Sequence, residues 1–156
     1  MVLYYVGLMS FTTVYERDLE VPIKISKSAS EDARKKRLER WPREAGLSVP
    51  LDDSGTSFMQ LVKSFSTDYG LTPGERTWDV KDVGGKYSIN MVWKLMRGNE
   101  EKGYARVTGE IPLTPSGEEG NNVVYTARLK YVIEISNDVL SEKATAENVP
   151  EVNLFG

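Results

Sequence analysis

YTARLKYVIEI, residues 125 to 135, decides the fold. Tyr125, Ala127, Leu129, Tyr131, Ile133 and Ile135 fall on one parity, with Thr126, Arg128, Lys130 and Glu134 on the other. Successive side chains of a strand point to opposite faces, so this stretch is a strand with one buried and one wet face. A strand of a parallel sheet, covered on both sides, would read as a continuous apolar run. The alternation therefore selects an antiparallel sheet with a single covered face.

Two neighbours repeat the pattern. Tyr87, Ile89, Met91, Trp93 and Leu95 share a face against Ser88, Asn90 and Lys94, and Ala105, Val107, Gly109, Ile111 and Leu113 alternate with Arg106, Thr108 and Glu110. A turn over 97–103 and a loop over 114–122, rich in Gly, Glu, Ser and Pro, separate the three strands, which form a meander. Before them, 71–75 (LTPGE) reads as a turn and 78–83 as a short strand stopped by Gly84-Gly85.

Between residues 16 and 70 the periodicity changes. Phe58, Leu61, Val62, Phe65 and Tyr69 recur at helical spacing, with Ser57 and Gln60 as a capping box and Gly70 as a stop, so this helix packs on the sheet. An earlier helix is expected from a capping box at Ser28 and Glu31 to a stop at Pro42, with Ala33, Leu38 and Trp41 as its inward residues. Leu19, Val21, Ile23 and Ile25 alternate with Glu20, Pro22, Lys24 and Ser26, and Pro22, lacking an N–H, marks an edge strand. LYYVGLMSFTTVY, residues 3–15, is apolar on both parities and reads as a separate strand, paired with 19–25 through a turn at Glu16-Arg17-Asp18. A strand apolar on both faces lies between two layers or is covered by another chain. A short helix over 138–147 and a tail over 148–156 complete the chain.

The expected fold class is therefore α+β: a single domain over 1–147, with an antiparallel sheet of five or six strands, one packed helix and one basic surface helix, followed by a C-terminal tail. A chain of 156 residues buries enough surface to fold without a metal or disulfide.

Composition narrows the function. The chain has neither cysteine nor histidine. Thiol nucleophiles, imidazole bases and the usual zinc sites are thereby excluded, and the expectation is a protein that is not an enzyme and uses no cofactor or metal. The adjacent carboxylates Asp52-Asp53, Glu100-Glu101 and Glu118-Glu119 all fall in expected turns rather than at a fixed distance across a cleft. Asp79 and Asp82 do not follow the calcium-loop pattern, and Gly84-Gly85-Lys86 does not have phosphate-loop spacing. No basic leader precedes the apolar start, so the chain reads as cytoplasmic.

The net charge of −3 hides an asymmetry, because residues 24–43 carry eight basic side chains against three acidic ones. Within them Arg34, Lys35, Lys36, Arg37 and Arg40 form a candidate contact for an anion or an acidic partner, a nucleoprotein or an anionic membrane surface; the alternative is a solvated helix face. Tyr4, Val6 and Leu8 are the candidate self-association residues, and Val152, Leu154 and Phe155 are the candidate anchors by which the tail docks on a protein partner or folds back on its own domain. The strand aromatics Tyr4, Tyr5, Trp78, Trp93, Tyr125 and Tyr131 are expected in the core, and the signature of a base-stacking platform is absent.

In the order and pattern of its elements, with no diagnostic motif, residues 3–140 resemble rhabdovirus matrix proteins. The likeness runs through LYYVGLMSFTTVY, SFMQLVKSFSTDYG, KYSINMVWKLM, GYARVTGEIPLTPSG and VVYTARLKYVIEISND. The resemblance implies a non-enzymatic protein that self-associates, condenses a nucleocapsid and lines a viral membrane. The sequence reading is accordingly a self-associating structural or adaptor protein, a homo-oligomer of host cytoplasm or virion. Its rivals are a carrier of a small ligand between sheet and helix, and a hydrolase that works through carboxylates alone.

Overall fold

The structure, a computed structural model, describes residues 10–148. They form β1 (Phe11–Ser26), α1 (Glu31–Ala45), α2 (Phe58–Asp68), β2 (Thr72–Asp82), β3 (Lys86–Arg97), β4 (Glu100–Pro112), β5 (Gly117–Glu119), β6 (Asn122–Ser136) and α3 (Asn137–Asn148). All six strands join one antiparallel sheet in the order β1-β6-β4-β3-β2, with β5 added to the far end of β6. This is a single α+β domain.

The 125–135 alternation holds along all of β6. Tyr125, Ala127, Leu129, Tyr131, Ile133 and Ile135 are buried, beside Ala105 and Val107 of β4 and Ile89, Met91, Trp93 and Leu95 of β3. The helices cover this face. Phe58 and Val62 of α2 are fully buried, and the Phe58 and Tyr131 rings meet at 4.9 Å with 57° between their planes. Burying each such side chain is worth about 1.5–3 kcal/mol, so this contact belongs to the main source of stability.

Residues 11–26 are one strand, not two. Glu16, Arg17 and Asp18 do not turn but pair in register with Val132, Tyr131 and Lys130. The apolar residues on both parities at its start have a local cause: a bulge between Thr13 and Tyr15 inserts an extra residue. Before the bulge Phe11 points to the face of Tyr104, the open side, and their rings lie 5.7 Å apart; after it Tyr15 points to the helix side, against Phe58 and Phe65. Pro22 does lie in an edge strand. The stretch 3–9 lies outside the described residues.

Three other boundaries move. The expected turn at 71–75 is the beginning of β2, which accommodates Pro73-Gly74 through a bulge between Pro73 and Arg76. The turn expected over 97–103 contracts to Gly98-Asn99, and the loop 114–122 contributes β5. Gly84 and Gly85 do close a hairpin: their φ angles of 58° and 86° are the pair of positive values that the tightest hairpin turn requires.

The first helix begins two residues late and ends three residues beyond Pro42. Ser28 spends its hydroxyl on Ser26, and Ser30 caps the helix by accepting from the Ala33 N–H at 3.1 Å. Pro42 removes one backbone donor, yet it is buried with Leu38 against the core, and that packing carries the helix on to Ala45. Ala33, expected to face inward, is exposed. In α2 the capping box of Ser57 and Gln60 forms, and Gly70 follows the helix with φ 67°.

Candidate functional site

The basic helix α1 starts where β1 finishes and lies over the β6, β3 and β2 ends at that side of the sheet. Its cations divide into two sets. Arg34 turns inward, with Nε donating to the Tyr125 hydroxyl at 3.0 Å and Nη1 to the Ala29 carbonyl at 2.6 Å. Lys35 leans toward Asp82 at the end of β2, 3.7 Å away. Lys36 and Arg40 make exposed pairs within the helix, to Asp32 at 3.4 Å and Glu44 at 3.6 Å. Arg37 and Arg43 make no ion pair among the described residues. The outward surface thus combines Lys36, Arg37, Arg40 and Arg43 with Glu31, Asp32, Glu39 and Glu44, so its charges balance, and the positive excess of the helix comes from Arg34 and Lys35.

At the other end of β1, roughly 50 Å away by strand length, the two terminal segments join the domain side by side. The Ser10 carbonyl accepts from the Asn137 N–H at 3.0 Å, and Thr12 donates its hydroxyl to the Asn137 side chain. Residues 1–9 enter here and α3 departs here. The candidate residues Tyr4, Val6, Leu8, Val152, Leu154 and Phe155 lie outside the described residues.

The open face of the sheet carries rows of polar side chains set by register. One row runs Glu20, Arg128, Glu110, Ser88 and Lys81, and the next Asp18, Lys130, Thr108, Asn90 and Asp79. Opposite charges meet along these rows, with Arg128 between Glu20 and Glu110 at 3.8 and 3.9 Å, and diagonally to the adjoining rows, with Lys130 and Glu16 at 2.7 Å and Lys86 and Glu110 at 2.6 Å. The Lys86 ammonium holds the Glu110 carboxyl below the usual carboxylate range. The alternation of sequence implied a wet face, but not this pairing, which needs the register. Tyr104, the ring that sequence reasoning missed, stands on this face with its hydroxyl on Glu134 and the Arg106 guanidinium 4.9 Å above it.

The remaining candidates have structural partners. Asp52 accepts backbone N–H groups of Ser54 and Thr56 at 3.0 and 3.3 Å and is held below the usual carboxylate range by the hydrogen bonds of its own loop. Glu118 and Glu119 pair with Lys27 and Lys24, and Glu100 with Lys102. Asp79 and Asp82 pair with Lys81 and Lys35. Trp93 donates its indole N–H to the Gly74 carbonyl at 3.1 Å, and Tyr131 donates to the Gly46 carbonyl at 2.7 Å. Trp93, Tyr125 and Tyr131 are buried and Trp78 is half-buried, all on the helix-covered face; Tyr4 and Tyr5 lie outside the described residues. Among the described residues no cluster of three carboxylates is placed to hold a metal ion, and no helix is long and apolar enough to cross a membrane.

Compared with models of known protein families, with curated proteins and with solved structures, the chain finds no match.

Proposed function

We propose that this chain is a non-enzymatic, self-associating structural or adaptor protein that works in the cytoplasm of a cell, with its contacts at two ends of the sheet. One observation carries the reading. The hydrogen bond from Asn137 to Ser10 brings the first described residue beside the start of the last helix, whereas the cationic helix starts at the opposite end of the sheet, which supports a reading with separate contacts at the two ends. A molecule with apolar segments at one end and a basic helix at the other can join a copy of itself through the first while meeting an anionic surface with the second. A matrix-like role on a nucleocapsid or a viral membrane is one form of this function.

Two features support the reading over its rivals. Phe58, Tyr131, Met91 and Leu95 fill the space between helices and sheet in which a carrier would hold its ligand. In each adjacent carboxylate pair at least one member is engaged by a loop hydrogen bond or a lysine, where a hydrolase would need both aimed at a substrate.

Light scattering over a hundredfold range of concentration, at low and high salt, tests the proposal. Mass is expected to rise with concentration, and Leu8→Lys to abolish the rise without changing thermal unfolding of the domain. A monomer at every concentration would overturn it.

A further inference from the structure

We infer that α3 is a salt-fastened arm, which undocks from the sheet from its outer turn inward while the rest of the domain stays folded. The inference stands on how the helix is attached and does not depend on which partner the tail meets.

An ordinary surface helix buries an apolar stripe, as α2 does with Phe58 and Val62. In α3 Val139 is the one residue whose side chain is fully buried among those described, and Leu140 is half-buried. Asn137 is tied to Ser10 and Thr12 at the entry to the helix, and beyond it charged groups make the polar contacts. Asp138 in the first turn accepts from Lys102 of β4 at 2.7 Å and from the Ser136 hydroxyl. One turn on, Glu142 accepts from Arg97 at the end of β3 at 2.7 Å. Lys143 donates to the Asp68 carbonyl at 2.9 Å, with its ammonium 5.2 Å from the centre of the Tyr69 ring, and Arg97 also reaches the Tyr69 carbonyl at 3.4 Å. Beside this turn Tyr69, Arg97, Val139 and Glu142 border an open surface cleft of about 230 Å³.

The two sets of contacts differ in exposure, and that sets the order of release. The Lys102 and Asp138 side chains are 20% and 37% exposed, so their bond is partly shielded, whereas Arg97 and Glu142 are 40% and 61% exposed and are more open to screening. The Debye length falls from about 10 Å at 0.1 M salt to about 3 Å at 1 M. The outer turn therefore loosens first and the inner hinge at Asp138 last. Release moves the last residue held on the sheet from α3 back to Ser136. The twelve residues freed span up to about 40 Å when extended.

Hydrogen exchange of the full chain between 0.02 and 1 M NaCl tests this, read by mass spectrometry on peptides from α3, α2 and β6. Protection of 139–146 is expected to fall about tenfold with salt, a loss of one or two exposed ion pairs, while Val62 and Tyr131 peptides keep theirs. Arg97→Glu should cause the same loss at 0.02 M, and Arg97→Glu with Glu142→Arg should recover most of it. Equal protection of α3 and α2 at every salt, or α3 unprotected already at 0.02 M, would overturn the inference.

Discussion

Tyr131 and Gly46 lie 85 residues apart in sequence, and a 2.7 Å hydrogen bond from the phenol to the backbone carbonyl ties the middle of β6 to the chain leaving α1. Tyr131 is fully buried, and burial pushes its phenol well above the usual range. The phenol is therefore protonated, and able to donate this bond, through the neutral range. Tyr131→Phe keeps the ring contact with Phe58 and leaves the Gly46 carbonyl without this donor, which costs about 1–3 kcal/mol. Urea unfolding should show a lower midpoint with an unchanged slope.

Gly109 of β4 passes so close to β6 that an added Cβ would meet the Arg128 carbonyl oxygen at 2.0 Å. Gly109→Ala should destabilise by about 3 kcal/mol, because the obstacle is backbone and cannot turn aside. At Gly117 nothing lies within 4 Å of the same added atom, and Gly117→Ala should stay within about 0.5 kcal/mol of wild type. Thermal melts of the pair check the contrast.

Asp138 is held down to about 2, first by the Lys102 hydrogen bond and then by the Ser136 hydroxyl. Its folded pKa lies below the unfolded one, so its contribution is complete above about pH 4 and disappears as the pH falls toward 2. With solvent screening allowed for, that contribution is about 1 kcal/mol. Acid titration of stability should therefore be shallower for Asp138→Asn than for wild type between pH 4 and 2, with the two curves converging at the acid end.

Arg34 and Arg37 stand three residues apart on α1 and should respond differently. Arg34→Ala removes the bonds to Tyr125 and Ala29 and should cost about 1 kcal/mol, whereas Arg37→Ala, with no ion pair to lose among the described residues, should cost less than about 0.5 kcal/mol. Weaker binding to anionic vesicles by Arg37→Ala, with unaltered urea unfolding, is the outcome expected if the helix meets an anionic surface.

The sheet was readable because its signal is repeated: Tyr87 to Leu95 and Tyr125 to Ile135 each hold one parity for nine residues or more, and a period of two has no competing explanation at that length. Bulges are where the reading failed. The charged run Glu16-Arg17-Asp18, just after the bulge near Val14, made one strand resemble two, and Pro73-Gly74 carried the composition of a turn while the backbone stayed extended through a bulge. Both depend on pairing with a distant strand, which local sequence does not contain. The charge of α1 was legible, but its division was not. Whether Arg34 faces water or Tyr125 depends on a hydroxyl 91 residues away. The Lys102 and Asp138 contact was hidden for the same reason, although an acidic residue in the first turn of a helix is a visible sign of a cap.

The meeting of Ser10 with Asn137 also makes the domain a candidate for rewiring. Because its entry and the start of its last helix share one end, a linker of a few residues from Ser136 to Ser10 would close the backbone into a ring, with new termini opened at Gly117 in the exposed hairpin at the opposite end. Such a permutant would lack residues 1–9 and 137–156 and carry any fused reporter beside the basic helix, isolating what that end of the sheet does by itself.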